Sequence, residues 1–194
     1  MLKKVLSVVL LVAMIFTLTL SLASCKESVY YVKLQIKDYG DIILKLDRNN
    51  APKTVDNFVS LVEDGFYDGL TFHRVIEGFM MQGGMPDSTK KAPAKIKGEF
   101  SANGHDNQIK HVRGVISMAR STGYNSASSQ FFIMHADAPH LDGYYAAFGY
   151  VIEGMDVVDA IVENTGPYAI NGVINYKEFQ AQIEKATVLK DYVE

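Results

Sequence analysis

From residue 29 onward, apolar and polar positions alternate in short runs broken by glycines. Residues 29–37 place Val32, Leu34 and Ile36 on one side and Lys33, Gln35 and Lys37 on the other, the period of a strand. Asp38-Tyr39-Gly40-Asp41 is a turn signal, and Ile42, Leu44 and Leu46 resume the alternation, so the first unit is a β-hairpin. The period then lengthens. Asn49-Asn50-Ala51-Pro52 opens a helix, with Pro52 in a first turn where a missing N–H costs little. Val55, Phe58, Val59 and Val62 keep helical spacing, and Gly65 supplies the stop. This helix is short and apolar on one side, as suits one that covers part of a sheet. Further strands are expected at 71–76, 79–82, 95–99, 115–119, 131–135 and 147–151, a second short helix at 155–162, and a closing strand at 187–192. Residues 165–184 carry the weakest pattern, with 176–185 compatible with a helical turn or two. Many short strands and two brief helices predict a mainly β fold, a closed or nearly closed barrel.

The first segment stands apart from this pattern. Lys3 and Lys4 precede an uncharged run from Val5 to Ser24, which ends in Leu22-Ala23-Ser24-Cys25. A basic start, an apolar stretch and small residues mark an export signal. About 20 apolar residues can also span a bilayer permanently, and the ending decides between the two. Leu-Ala-Ser-Cys resembles the bacterial lipobox, in which the cysteine is lipidated and becomes the new first residue. The expected organisation is a lipoprotein signal peptide at 1–24, a lipidated Cys25 with a short tether at 25–28, and one domain at 29–194. Cys25 is the only cysteine, so no internal disulfide can form. Two acyl chains give stable attachment where one does not, which predicts an extracytoplasmic protein anchored to a bacterial membrane. The tether reaches at most roughly 10 Å, so the domain lies close to that membrane. Loss of Lys3 and Lys4 takes the formal charge from −3 to −5. A mildly acidic domain with no basic block argues against nucleic acid as a partner. Its length and 48% hydrophobic content suit one globular domain.

Three separated segments carry candidate chemistry. The first is Phe72-His73-Arg74 followed by Gly78-Phe79-Met80-Met81-Gln82-Gly83-Gly84. The second is Gly114-Val115-Ile116-Ser117-Met118-Ala119-Arg120, followed by Asn125 and Ser129-Gln130-Phe131-Phe132-Ile133. The third is His140-Leu141-Asp142-Gly143, then Ala147-Phe148-Gly149. In this order and at these intervals the chain resembles the cyclophilin family of peptidyl-prolyl cis-trans isomerases across most of residues 29–163. The resemblance implies a closed eight-stranded antiparallel β-barrel capped by two short helices, with an active groove on its outer face. It implies that Arg74 is the catalytic arginine, and that Gln82 orients it and touches the substrate backbone. Phe79, Met80, Phe132 and Leu141 would line a proline pocket, and Ala119, Arg120 and Gln130 would flank the peptide, Arg120 mainly through its backbone. Where the best-known members carry a tryptophan, this chain has His140, which argues against tight cyclosporin binding. Tyr145 stands where a pocket histidine is usual, and Met85 to Ala92 replace a glycine-rich loop that borders the pocket for residues before proline.

The chemistry fits those residue types. The amide barrier, roughly 18–20 kcal/mol, comes from C–N double-bond character, and the prolyl nitrogen regains its lone pair at the twisted midpoint. A donor placed there strengthens only in the transition state. Arginine cannot deprotonate and offers several fixed N–H groups. A dry apolar wall favours the twisted, less charge-separated amide, and Phe and Met supply adaptable apolar surface. No nucleophile, general base, metal or cofactor is required. Taken singly, Arg74 also suits a surface strand with its stem on apolar neighbours, and Phe79, Met80 and Phe132 suit a core; the joint match selects the site. Met81, of opposite parity to Met80 and Gln82, belongs in the core. His105, Asp106 and His111 match no strong metal motif, and Ser117, Ser128 and Ser129 lack the nucleophile-elbow pattern. The expected protein is a monomeric isomerase acting on proline-containing unfolded or exported polypeptides. The alternative is a non-catalytic, membrane-tethered chaperone for such segments.

Overall fold

The computed structural model describes residues 27–193; residues 1–24, expected to be a signal peptide, and Cys25 lie outside the described residues. The strands are β1 (Val29–Ile36), β2 (Gly40–Asp47), β3 (Phe72–Ile76), β4 (Met80–Gly83), β5 (Val115–Met118), β6 (Phe131–Met134), β7 (Ala147–Glu153) and β8 (Ile183–Leu189). Two α-helices, α1 (Pro52–Glu63) and α2 (Met155–Thr165), interrupt them. The strands form one antiparallel sheet in the order β3-β4-β6-β5-β7-β2-β1-β8.

The sheet curls until its two edges meet, but the expected closed barrel is closed only by a seam. Thr71 bridges Gln182, and Phe72 N–H donates to Ala181 O at 2.9 Å while Ile183 N–H donates to Leu70 O at 2.8 Å. No β3–β8 ladder continues from there, because the outer edge of β3 is already paired. His73 O accepts from Ile174 N–H, and Val75 N–H donates to Gly172 O.

Alternation sorts the side chains onto two faces. The inner face and the helices share one core that includes Val32, Leu34, Leu44, Phe58, Phe72, Met81, Phe131, Ile133 and Phe148. A second, smaller apolar cluster lies on the outer face: Met80, Val115, Phe132, Met134, Leu141 and Ala147, with Phe79, Ala119 and Tyr145 packed against it. β4 and β6 are thus apolar on both faces, which is why Phe72 to Gly84 holds so much Phe and Met. Met81 is in the inner core, as its parity predicts.

Helix α1 starts on Pro52 without a side-chain cap from Ala51. Its first N–H groups are satisfied from a distance: Lys53 N–H and Thr54 N–H donate to the Glu99 carboxylate at 3.0 and 2.8 Å. A carboxylate at a helix N-terminus also complements the helix dipole. This explains why residues 95–99 are not the strand their alternation predicts. Ile96 makes one bridge, to Ala127, and Glu99 is turned inward, only 2% exposed. A Cβ at Gly98 would lie 2.3 Å from the Phe100 ring, so the chain packs too tightly there for a regular strand. The closing strand lies earlier than 187–192, because the alternating partners of β1 begin at Ile183. Helix α2 runs three residues past the expected 162. Residues 176–185 form only a 3-10 turn at Lys177–Phe179 before β8 begins.

Candidate active site

The register assembles the site. Arg74 pairs with Gln82 across β3–β4, Gln82 with Phe132 across β4–β6, and Phe132 with Ser117 across β6–β5. Paired residues share a face, so Arg74, Gln82, Phe132 and Ser117 form one row on the outside of the sheet. Met80, two residues from Gln82, shares that face. Arg74, Phe79, Met80, Gln82, Ala119, Arg120, Phe132, Leu141 and Tyr145 line a cavity of about 230 Å³. Nine of the expected site residues therefore converge on one hollow. Gln130 lies in an adjoining depression of about 240 Å³ that shares Gln82, Ala119 and Arg120. His140 sits at the rim, stacked on Phe79 with ring centroids 5.7 Å apart. Three larger hollows, about 700, 590 and 550 Å³, lie elsewhere and contain none of the expected site residues.

The polar groups are ordered in a chain. Arg74 Nη1 donates to Gln82 Oε1 at 3.5 Å and lies 3.7 Å from Met80 Sδ. Gln82 Nε2 donates to Gln130 Oε1 at 2.9 Å, which fixes the Gln82 amide with its oxygen toward the arginine. Among the described residues, the hydrogen bonds of Arg74 leave from Nη1 alone. Its Nε lies toward Gly172, where a Cβ would sit 3.7 Å away. Arg120 is occupied otherwise. Its Nε donates to Tyr144 O at 2.9 Å, and its guanidinium lies 4.6 Å from the Tyr145 ring centroid, 5.1 Å from Tyr124 and 5.4 Å from Phe100. This aromatic cage, a cation–π arrangement, makes Arg120 part of the wall.

Behind the wall is a second polar chain that the sequence did not disclose. His111 is 2% exposed and lies under Phe132, with ring centroids 6.1 Å apart and planes within 19°. Its Nδ1 is 3.0 Å from Asp142 Oδ1, its backbone N–H donates to the same oxygen at 2.8 Å, and its Nε2 is 3.0 Å from Ser117 Oγ. Burial holds the His111 pKa below its ordinary value against the opposing pull of Asp142. The neutral ring thus donates from Nδ1 and accepts the Ser117 hydroxyl at Nε2. Ser117, His111 and Asp142 have the composition of a hydrolytic triad. Ser117 is fully buried, however, so no substrate carbon can reach its oxygen.

A third support holds Phe79. Gly78 N–H donates to His135 Nδ1 at 3.0 Å, and His135 N–H donates to Phe79 O at 2.9 Å. His105 Nε2 meets Asn50 O at 2.7 Å, and Asp106 accepts from Gln108. Among the described residues no group of His, Cys, Asp and Glu is disposed to hold a metal ion.

Comparison with known proteins gives the family. The family model for cyclophilin type peptidyl-prolyl cis-trans isomerase matches residues 31–187. The chain belongs to the cyclophilin-type peptidyl-prolyl cis-trans isomerases. It is 48% identical over 141 residues to peptidyl-prolyl cis-trans isomerase A of Dickeya dadantii, covering 66% of this chain and 72% of the relative. It is 41% identical over 177 residues to a probable peptidyl-prolyl cis-trans isomerase of Brucella suis, covering 87% of each. A cyclophilin type peptidyl-prolyl cis-trans isomerase of Cryptosporidium parvum superposes with a TM-score of 0.72 at 26% identity, covering 84% of this chain and 99% of that one. A crystal structure of the same Cryptosporidium protein in the presence of the dipeptide Ala-Pro gives a TM-score of 0.70 at 27% identity, covering 83% and 99%. As a member of this family, the protein is a peptidyl-prolyl cis-trans isomerase.

Proposed function

We propose that this cyclophilin accelerates rotation about X-Pro bonds in unfolded or newly exported polypeptides, with Arg74 donating to the prolyl nitrogen. The observation that carries the reading is the oriented guanidinium at the edge of an apolar cavity. Gln130 holds Gln82, Gln82 holds Nη1, and Arg74 itself lines a hollow walled by Phe79, Met80, Phe132 and Leu141. A proline ring in that hollow brings its nitrogen beside the arginine. One charge-assisted hydrogen bond is worth about 1.5–3 kcal/mol, or one to two powers of ten in rate. The dry wall supplies the rest by favouring the twisted amide. X-Pro bonds otherwise exchange over tens of seconds, slowly enough to limit folding. The test is a protease-free isomerisation assay on an X-Pro peptide. Arg74→Ala should slow turnover by one to two powers of ten at unchanged melting temperature, and equal rates for the two proteins would sink the assignment.

The proposed place of action is extracytoplasmic, at a bacterial membrane to which a lipidated Cys25 anchors the chain. The support is the sequence from Lys3 to Cys25. No helix among the described residues is long and apolar enough to cross a membrane. Cys25→Ser should leave the chain unprocessed or release it from the membrane. Lipid labelling and processing that persist in Cys25→Ser would refute the anchor.

A further inference from the structure

Between α2 and β8 the chain makes an excursion that the proline site does not use. Ile170 N–H donates to Val173 O at 2.9 Å and Val173 N–H to Ile170 O at 3.0 Å, around Asn171 and Gly172 with φ of 54° and 82°. Two successive positive φ values define the tight hairpin turn for which Asn-Gly is preferred. The hairpin adds itself to the outer edge of β3: Val75 N–H donates to Gly172 O at 2.8 Å, Ile174 N–H donates to His73 O at 2.9 Å, and Val173 pairs with Arg74. Residues opposed in this way lie about 4.5 Å apart with side chains on the same face. Arg74, Val173 and Ile170 therefore continue the Arg74–Gln82–Phe132 row outward. Gly172 lets the two strands close up, since a Cβ there would sit 2.6 Å from Ile76 Cγ1.

Ile170 is 66% exposed and Val173 40%. Neither belongs to the inner core or to the pocket cluster. Two β-branched apolar side chains thus face solvent beside the cation of the site, on a turn whose geometry needs only Asn171 and Gly172. Placed side by side by the turn, the two add apolar surface next to the site.

We propose that Ile170 and Val173 form a ledge that binds apolar side chains of the client polypeptide about two or three residues from the isomerised proline. The occupant is the same client chain that fills the cavity, because the ledge is continuous with Arg74 through backbone pairing. The proposal rests on Arg74 marking the prolyl nitrogen. Counted from the Arg74 backbone, Val173 and Ile170 lie one and two strand spacings away, about 5 and 10 Å. An extended client advances about 3.3 Å per residue, so its second or third residue beyond the bond reaches them. Such residues are exposed in unfolded chains, and aliphatic or aromatic ones gain most from the contact.

The experiment compares a short Ala-Pro tetrapeptide with peptides extended by three residues on each side, carrying either Phe or Ser at the flanking positions. The double variant Ile170→Ser, Val173→Ser removes exposed side chains only, and its melting temperature should match wild type. Its KM for the Phe-flanked peptide should rise about fivefold, with kcat unchanged and no effect on the tetrapeptide. An unchanged KM for the Phe-flanked peptide, or an equal loss on short and long peptides, would overturn the ledge. A wild-type protein that fails on the tetrapeptide would overturn the isomerase reading and the ledge with it. A wild-type protein that turns over the tetrapeptide but does not distinguish Phe from Ser flanks would overturn the ledge alone.

Discussion

Two polar chains meet at the Phe132 ring. Arg74, Gln82 and Gln130 lie partly exposed on one side, open to a cavity. Ser117, His111 and Asp142 run beneath the other, with Ser117 and His111 buried. The buried chain has the more reactive composition and no substrate access. The open chain holds no nucleophile, yet its cation lines the hollow proposed to receive the prolyl nitrogen. Access, more than residue type, is what supports the open chain as the proposed site. The buried chain still serves the site, since His111 supports Phe132 and the Asp142 it holds adjoins Leu141, another wall residue.

Breaking the buried chain should have the larger energetic effect. His111→Ala removes a packed ring and leaves the Ser117 hydroxyl and the Asp142 carboxylate without their partner. The expected loss is about 3 kcal/mol of unfolding free energy, read by urea denaturation, with a raised KM as Phe132 loses its backing. Breaking the open chain should do the reverse: Arg74→Ala costs about 1.5–3 kcal/mol of transition-state stabilisation and leaves the urea midpoint in place. If His111→Ala lost turnover but kept its stability, the two chains would have to exchange roles. Gln82→Leu sharpens the comparison at smaller scale. It keeps the volume but frees both Arg74 and Gln130, and should lower kcat about fivefold, roughly 1 kcal/mol, with KM little changed. An unaltered kcat would mean that Arg74 is oriented by the sheet alone.

The open chain was legible in the sequence because Arg74 and Gln82 sit on regular strands and Gln130 directly precedes one. Parity separated Met80 and Gln82 from Met81, and the order of three motifs joined Arg74 to Phe132 and Leu141. The buried chain was not legible, because its members belong to a loop, a strand and a turn that only the fold brings together. His111 drew attention beside His105 and Asp106, its neighbours in sequence, whereas its partners are 6 and 31 residues away. Glu99 was hidden in the same way, 45 residues from the helix N-terminus it caps. The hairpin at Ile170 to Val173 is a different case. Its Asn-Gly signal was present in the sequence, but the flanking runs are too short to alternate, and pairing with β3 supplies what periodicity could not. The seam between β3 and β8 follows from that same pairing.

Acid titration tests the comparison with the smallest expected effect. Burial holds the pKa of His111 below the ordinary 6.5, against the raising pull of Asp142. Burial also lowers that of His73, with a further lowering from Arg74 and an opposing hydrogen bond at Thr71. For both, the unfolded chain takes up a proton at higher pH than the folded one. Between 6.5 and the lower folded values the unfolded state binds more protons, so stability is complete above about pH 6.5 and declines as pH falls through that window. Asp142, held below its usual range by the hydrogen bonds from His111 despite partial burial, weakens only at lower pH. His111→Gln should therefore flatten the stability slope below about pH 6.5, measured by urea midpoints. The turnover of a short X-Pro peptide should stay level from about pH 6 to 8, because the open chain moves no proton. A bell-shaped rate profile in that range would assign a catalytic proton to a histidine at the site. An undiminished acid slope in His111→Gln would move the titration to His73, whose Nδ1 is buried without a hydrogen-bond partner among the described residues.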